Sequence, residues 1–173
     1  LPQCDATMRA AKLAGIETCP LIMEPTAAAM AYAFHGQYDK VYWLVFDLGG
    51  GTFDAAVIQI RGGNFQIVNH AGDNHLGGKL IDWEVVNKIF IPAVQKEYHL
   101  DDLNRDNPKW FRLYSQLKAK AEEAKMMLSS QNEYYPITID ALFRNEEGDP
   151  MPFEYDLSRS ELARLAEPFI ARA

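Results

Sequence analysis

The nine residues FDLGGGTFD, 46–54, set three consecutive glycines between two aspartates, directly after the apolar run VYWLVF, 41–46. A short apolar run of this kind reads as a buried strand. Glycine packs least and bends most, so a triplet at a strand end marks a place where the backbone turns sharply or comes close to something. Two arrangements satisfy the pattern. One is a plain hairpin turn that happens to be acidic on both sides. The other is a phosphate cradle, in which consecutive N–H groups converge on an anion and a hydrated Mg²⁺ offsets the repulsion from Asp47 and Asp54. In that arrangement Gly49, Gly50 and Gly51 take phosphate oxygens. The glycines are not followed by Lys-Ser/Thr as in a P-loop, nor spaced as in a dinucleotide-binding turn.

Working outward, residues 5–14 read as a helix ended by Gly15, and PLIME, 20–24, as a short strand feeding a second helix, PTAAAMAYAF, 25–34. Pro25 sits where a missing N–H is harmless, and the alanines favour helix. Strands are expected at 41–47, 53–60 and 64–71, the last two joined by RGGN, whose paired glycines suit a tight hairpin. From about Lys79 to Tyr98 apolar residues recur at helical spacing, with Pro92 a kink. The polar linker DDLNRDNP leads to a long helix from about Pro108 to Ser130, with Trp110, Leu113, Leu117, Ala121, Ala124 and Leu128 on one stripe. YYPITIDALF and PFEYDL alternate as two half-exposed strands around RNEEGD. Ser158 and Glu161 form a capping box for a last helix carrying Leu162, Leu165 and Phe169. The chain thus reads as α/β in two units: residues 1–77 with 158–173, and an inserted helix and hairpin unit at 78–157.

The bulk numbers exclude several classes. The chain has 173 residues, 48% hydrophobic, with a formal net charge of −7, so no positive field draws it to nucleic acid or to an anionic membrane. No stretch approaches the roughly 18 apolar residues that span a bilayer, and the first residues lack a signal-peptide layout, which points to the cytoplasm. Cys4 and Cys19 share no metal-type spacing and are expected as reduced structural thiols. The sequence opens inside a helix and closes without a C-cap signal, as expected of a piece of a longer protein.

Three segments carry a resemblance. EPTAAAMAY (24–32), FDLGGGTFD (46–54) and AGDNHLGGKLID (71–82) are similar, in this order and at this spacing, to signatures of the 70-kDa heat-shock chaperone family, and EEAKMMLSS (122–130) resembles a fourth family segment. The resemblance covers nearly the whole chain. It implies part of the second lobe of an actin-like (ribonuclease H-like) ATPase, with ATP/ADP and Mg²⁺ as cofactors. Residues 1–77 and 158–173 would be the partial inner subdomain, and 78–157 the α+β outer subdomain. By resemblance, Gly49, Gly50 and Gly51 contact the β- and γ-phosphates and Thr52 reaches the γ-phosphate. Asp47 binds magnesium's waters and assists the attacking water, Asp54 is a more distant magnesium acid, and Glu24 orients water there. Gly77 and Gly78 let the chain pass close to the ribose and phosphates. Glu122 and Lys125 hold ribose hydroxyls and Ser129 touches adenine; their spacing of three and four sets them on one helix face.

Two positions depart from the family pattern. Met126 stands where many eukaryotic members have an arginine on the adenine, and Lys79 where relatives usually have an acid. The family's first phosphate loop, its catalytic lysine and a later GGSTR-like adenosine motif are not among these residues, so hydrolysis is expected of the parent and not of the isolated chain. The parent would use nucleotide exchange to control binding of unfolded polypeptides in protein folding and stress response, with co-chaperones, and would dock nucleotide-exchange factors on the outer subdomain. The alternatives are a sugar kinase of the same superfamily, which EPTAAA argues against, and a non-catalytic partner-docking module.

Overall fold

The computed structural model describes residues 2–33, 41–130 and 132–173. The chain divides into two compact units, Leu1–Asp47 with Asp54–Gly72, and Leu48–Phe53 with Asp73–Ala173. The expected last residue of the second helix, Phe34, lies outside the described residues.

In the first unit, α1 (Pro2–Leu13) buries none of its residues and ends at Gly15, whose φ of +82° is the left-handed stop that glycine adopts freely. Helix α2 (Glu24–Ala33) follows. Residues 20–23 form no strand, contrary to the expectation for PLIME. Pro20 offers no N–H to a ladder, and Leu21, Ile22 and Met23 remain 43%, 55% and 52% exposed, without the cross-strand neighbours that would hold them. Strands β1 (Val41–Leu48), β2 (Phe53–Arg61) and β3 (Asn64–Asp73) pair in the order β1-β2-β3. The β2–β3 turn runs through Gly62 and Gly63, both at positive φ, as a tight hairpin requires. Ala29 of α2 packs with Ala56, Ile58 and Ile60 of β2, flanked by Val41, Trp43, Val45, Phe65 and Ile67. The alternation of β1 is strict: Tyr42, Leu44, Phe46 and Leu48 point to the other face and stay exposed.

The second unit holds the larger core. Helix α3 (Gly78–Val85) runs through a π-helical turn (Val86–Phe90) into α4 (Ile91–Tyr98), so the expected interruption comes just before Pro92, as a widened turn. A 3₁₀ turn (Pro108–Trp110) leads into α5 (Phe111–Leu128), and all six residues of the expected stripe are buried. Strands β4 (Tyr134–Arg144) and β5 (Pro150–Ser158) form an antiparallel hairpin that pairs Ile137 with Tyr155 and Ile139 with Phe153, with a bulge between Ile139 and Phe143. Phe90 meets Phe153 edge to face at 5.6 Å between ring centroids. The last helix, α6 (Arg159–Ile170), contributes Leu162 and Ala166 to this same core, so residues 158–173 pack with the second unit. Cys4 and Cys19 are free thiols.

The capping box at Ser158 forms as expected: its Oγ accepts from the Glu161 N–H, and the Glu161 carboxylate accepts from the Ser158 N–H at 2.9 Å. Partial burial pushes the Glu161 carboxyl up, but hydrogen bonds from Ser158 and Tyr155 outweigh it and hold the group below its ordinary value near 4.5. A depressed carboxylate stabilises the fold above its unfolded pKa and loses that contribution as pH falls through the folded value. Ser158→Ala is therefore expected to lower stability by about 1 kcal/mol in urea unfolding near pH 7. The gap between the wild type and Glu161→Gln should close as pH falls from neutral through the folded value, and a gap that does not shrink on acidification contradicts the assignment.

Candidate functional site

The residues around the glycine triplet meet the start of α3 backbone to backbone. Gly78 N–H donates to Gly49 O at 2.9 Å and Lys79 N–H to Gly50 O at 2.8 Å, while Gly49 N–H closes the turn on Thr52 O at 2.9 Å. The first amides of α3 are thereby consumed by the turn, and Leu80 N–H is taken by Gly77 O. A phosphate has no helix N-terminus left to use here, unlike the usual arrangement. The donors that remain are in the turn itself. Gly50, Gly51 and Thr52 are exposed, and among the described residues their N–H groups have no acceptor. A Cβ on Gly51 would meet nothing within 4 Å, so an anion has room to approach that amide.

Gly77 is required for a different reason. Its φ of 176° is ordinary extended backbone, but a Cβ there would lie 2.6 Å from Gly50 C and Gly51 N. The two turns can touch only because that side chain is missing. At Gly78 a Cβ would come within 3.0 Å of Lys125 Nζ, which donates to Gly78 O at 2.9 Å. Lys125 on α5 is thus brought to the paired glycines.

Behind the turn lies a group that the spacing arguments passed over. Asp82, one turn into α3, is completely buried. Its Oδ1 is 2.6 Å from Lys125 Nζ and its Oδ2 3.5 Å from Lys118 Nζ, yet neither oxygen accepts a hydrogen bond of good geometry. Lys118 also pairs with Glu122 at 2.6 Å. That hydrogen bond, ahead of the Asp82 charge, holds the Lys118 ammonium above its usual pKa and Glu122 below its own. The visible signal was an acid between Ile81 and Val85 on an apolar helix face, with two lysines seven apart on α5.

Of the other expected residues, Ser129 caps α5, and its Oγ donates back to Lys125 O at 2.7 Å. Met126 is 62% exposed, and the side chain of Lys79 runs beside Gly50. In the first unit Asp47 is in β1 and Asp54 in β2, both half-buried, and Glu24 is the exposed first residue of α2. Among the described residues no three His, Cys, Asp or Glu side chains gather to hold a metal directly.

The glycines give a paired prediction. Gly77→Ala forces the two turns apart and is expected to destabilise by roughly 1–3 kcal/mol as an overpacking change. Gly51→Ala should change stability by less than about 0.5 kcal/mol, as an open surface position does. Thermal melts of the two variants check this, and equal effects contradict the close approach.

The family model described as Hsp70 protein matches residues 2–173. The chain is 37% identical over 170 residues to the chaperone protein DnaK of Mycoplasmopsis agalactiae, covering 98% of this chain and 27% of that protein. It is 39% identical over 171 residues to DnaK of Mycoplasmoides gallisepticum, covering 97% and 27%, and 36% identical over 170 residues to dnaK of Cyanidium caldarium, covering 98% and 26%. The chain therefore spans about a quarter of the length of these relatives. By these matches the chain belongs to the Hsp70 family.

Proposed function

We propose that this chain is part of the ATP-binding and ATP-hydrolysing domain of a chaperone that uses ATP/ADP exchange to control its hold on unfolded polypeptides. The observation that carries the reading is the glycine turn: its carbonyls are locked to the start of α3 while the N–H groups of Gly50, Gly51 and Thr52 stay exposed and without acceptors among the described residues. Consecutive backbone donors of this kind suit phosphate oxygens. In this reading Gly50 and Gly51 take the β- and γ-phosphates and Thr52 the γ-phosphate, while Gly49, expected as a third donor, spends its N–H on Thr52 O and shapes the turn. Gly77 and Gly78 let the chain pass close to the ribose and phosphates, Glu122 and Lys125 hold the ribose hydroxyls, and Ser129 touches adenine.

In this reading Asp47, Asp54 and Glu24 would act through water on Mg²⁺. When bound, the ion neutralises charge on the phosphates and draws them onto the turn. Asp47 orients the attacking water, with Glu24 beside it in that task. The fold we assign is an actin-like lobe, partial in this chain, with an inner subdomain drawn from residues 1–77 and the last helix, 158–173, packed with residues 78–157 as the outer subdomain. Nucleotide-exchange factors would dock on the latter, co-chaperones and clients would engage the rest of the parent, and the setting is cytoplasmic. Among the described residues no helix is long and apolar enough to cross a membrane. The sugar-kinase reading is set aside because the Hsp70 match spans residues 2–173.

In the full-length parent, Asp47→Asn is expected to cut steady-state ATP turnover by about 100-fold or more, the scale seen when one preorganised electrostatic contact is removed. Near-normal turnover with an unchanged melting temperature rejects the role given to Asp47. For the isolated 173-residue chain, calorimetric titration with Mg-ADP should give weak or undetectable binding, since these residues supply one wall of the cleft. Affinity of about 1 μM or tighter, some −8 kcal/mol, contradicts that view.

A further inference from the structure

Lysine is a poor positioning group by itself. Its flexible four-carbon stem carries rotamer entropy that must be lost on ordering, and its ammonium is strongly hydrated. Lys125 is held twice: at 2.6 Å from the buried Asp82 carboxylate and by donation to Gly78 O at 2.9 Å. Lys118, the other cation facing Asp82, is farther away at 3.5 Å and has a closer partner in Glu122. A fully buried carboxylate whose oxygens accept no well-formed hydrogen bond acts on its neighbours mainly through its field. A buried ion pair is also a weak source of stability compared with apolar packing, and Ile81 and Val85 on the same helix are core residues. Its effect is to fix where the Lys125 ammonium stands. One of the three ammonium protons goes to Gly78 O, which leaves capacity for a ligand at the glycine turn.

We propose that Asp82 is a positioning residue that presets Lys125 beside the paired glycines, and so makes the site selective for nucleotides with intact ribose hydroxyls. The inference rests on the reading of Lys125 as a ribose ligand. It concerns a residue that touches no nucleotide itself and acts through the lysine. The chemical class selected is the ribonucleoside diphosphate or triphosphate, discriminated from its dideoxy counterpart by hydrogen bonds to a charged donor.

The test is calorimetric binding of Mg-ADP and Mg-2′,3′-dideoxy-ADP to the full-length protein, as wild type, Asp82→Asn, Lys125→Met and the double variant. Wild type should prefer ADP by about tenfold or more, the value of a hydrogen bond to a charged group. Asp82→Asn should reduce that preference to within about threefold, while the dideoxy affinity holds and the Lys125→Met background shows no further change. Loss of affinity for both ligands by the same factor, or the same loss in the Lys125→Met background, assigns Asp82 to general support of the fold and overturns the proposal. A wild type that binds both ligands equally rejects the ribose role of Lys125, and the proposal with it, and is told apart by appearing before any substitution. Asp82→Glu keeps the charge and lengthens the side chain, which covers the case in which the amide variant does not fold. It should lower the preference partially, and full retention of the preference overturns the proposal.

Discussion

Two stretches of backbone touch where side chains would ordinarily keep them apart, and the order of the second unit around the glycine turn follows from that contact. Carbonyls of Gly49 and Gly50 receive the N–H groups of Gly78 and Lys79, across a gap that a single Cβ at position 77 would close. Backbone hydrogen bonds at 2.8–2.9 Å fix direction as well as distance. They therefore set the axis of α3, and with it the depth at which Asp82 enters the core. Lys125 on α5 then reaches both that acid and the Gly78 carbonyl. Position passes from turn to helix to a second helix through contacts that each have little slack.

Charge around the turn runs against the charge of the chain. The molecule carries a net −7, yet the carboxylate buried behind the turn is flanked by Lys118 and Lys125, and Lys79 runs alongside Gly50. Glu122 returns one negative charge near the surface, where solvent screens the pair. An interior acid facing two cations is costly to dismantle one member at a time, because each removal strands a charge away from water. Such a cluster resists drift in its parts more than it adds to the total stability of the fold.

The elements legible in the sequence were those with a repeating signal. The stripe from Trp110 to Leu128, the RGGN hairpin and the Ser158 capping box each rest on local periodicity or cap chemistry, and each is present. PLIME misled because an apolar tripeptide flanked by proline has no period, and strand formation depends on a neighbour that composition does not supply. At the site, the glycine segments were legible because glycine leaves a mark wherever backbone approaches backbone. That Gly78 and Lys79 spend their amides on the turn was not, since no residue type announces which carbonyl it will meet. Asp82 was overlooked for a related reason: an acid on a helix reads as a solvated charge until its neighbours 36 and 43 residues on, Lys118 and Lys125, are seen to fold over it.

The π-helical turn at Val86–Phe90 bears on how this region tolerates change in chain length. A π turn is an α-helix holding one residue too many, here with the Ile91 N–H reaching back to Val86 O. The surplus residue lets Ile89, Phe90 and Ile91 all turn inward, where regular winding would carry one of the three toward solvent. It also makes these five positions a phase reservoir. A single-residue deletion within them can be absorbed by closing the helix to ordinary winding, with Ile81 and Val94 kept in the core, whereas the same deletion in α5 would rotate every later side chain of that helix off its seam.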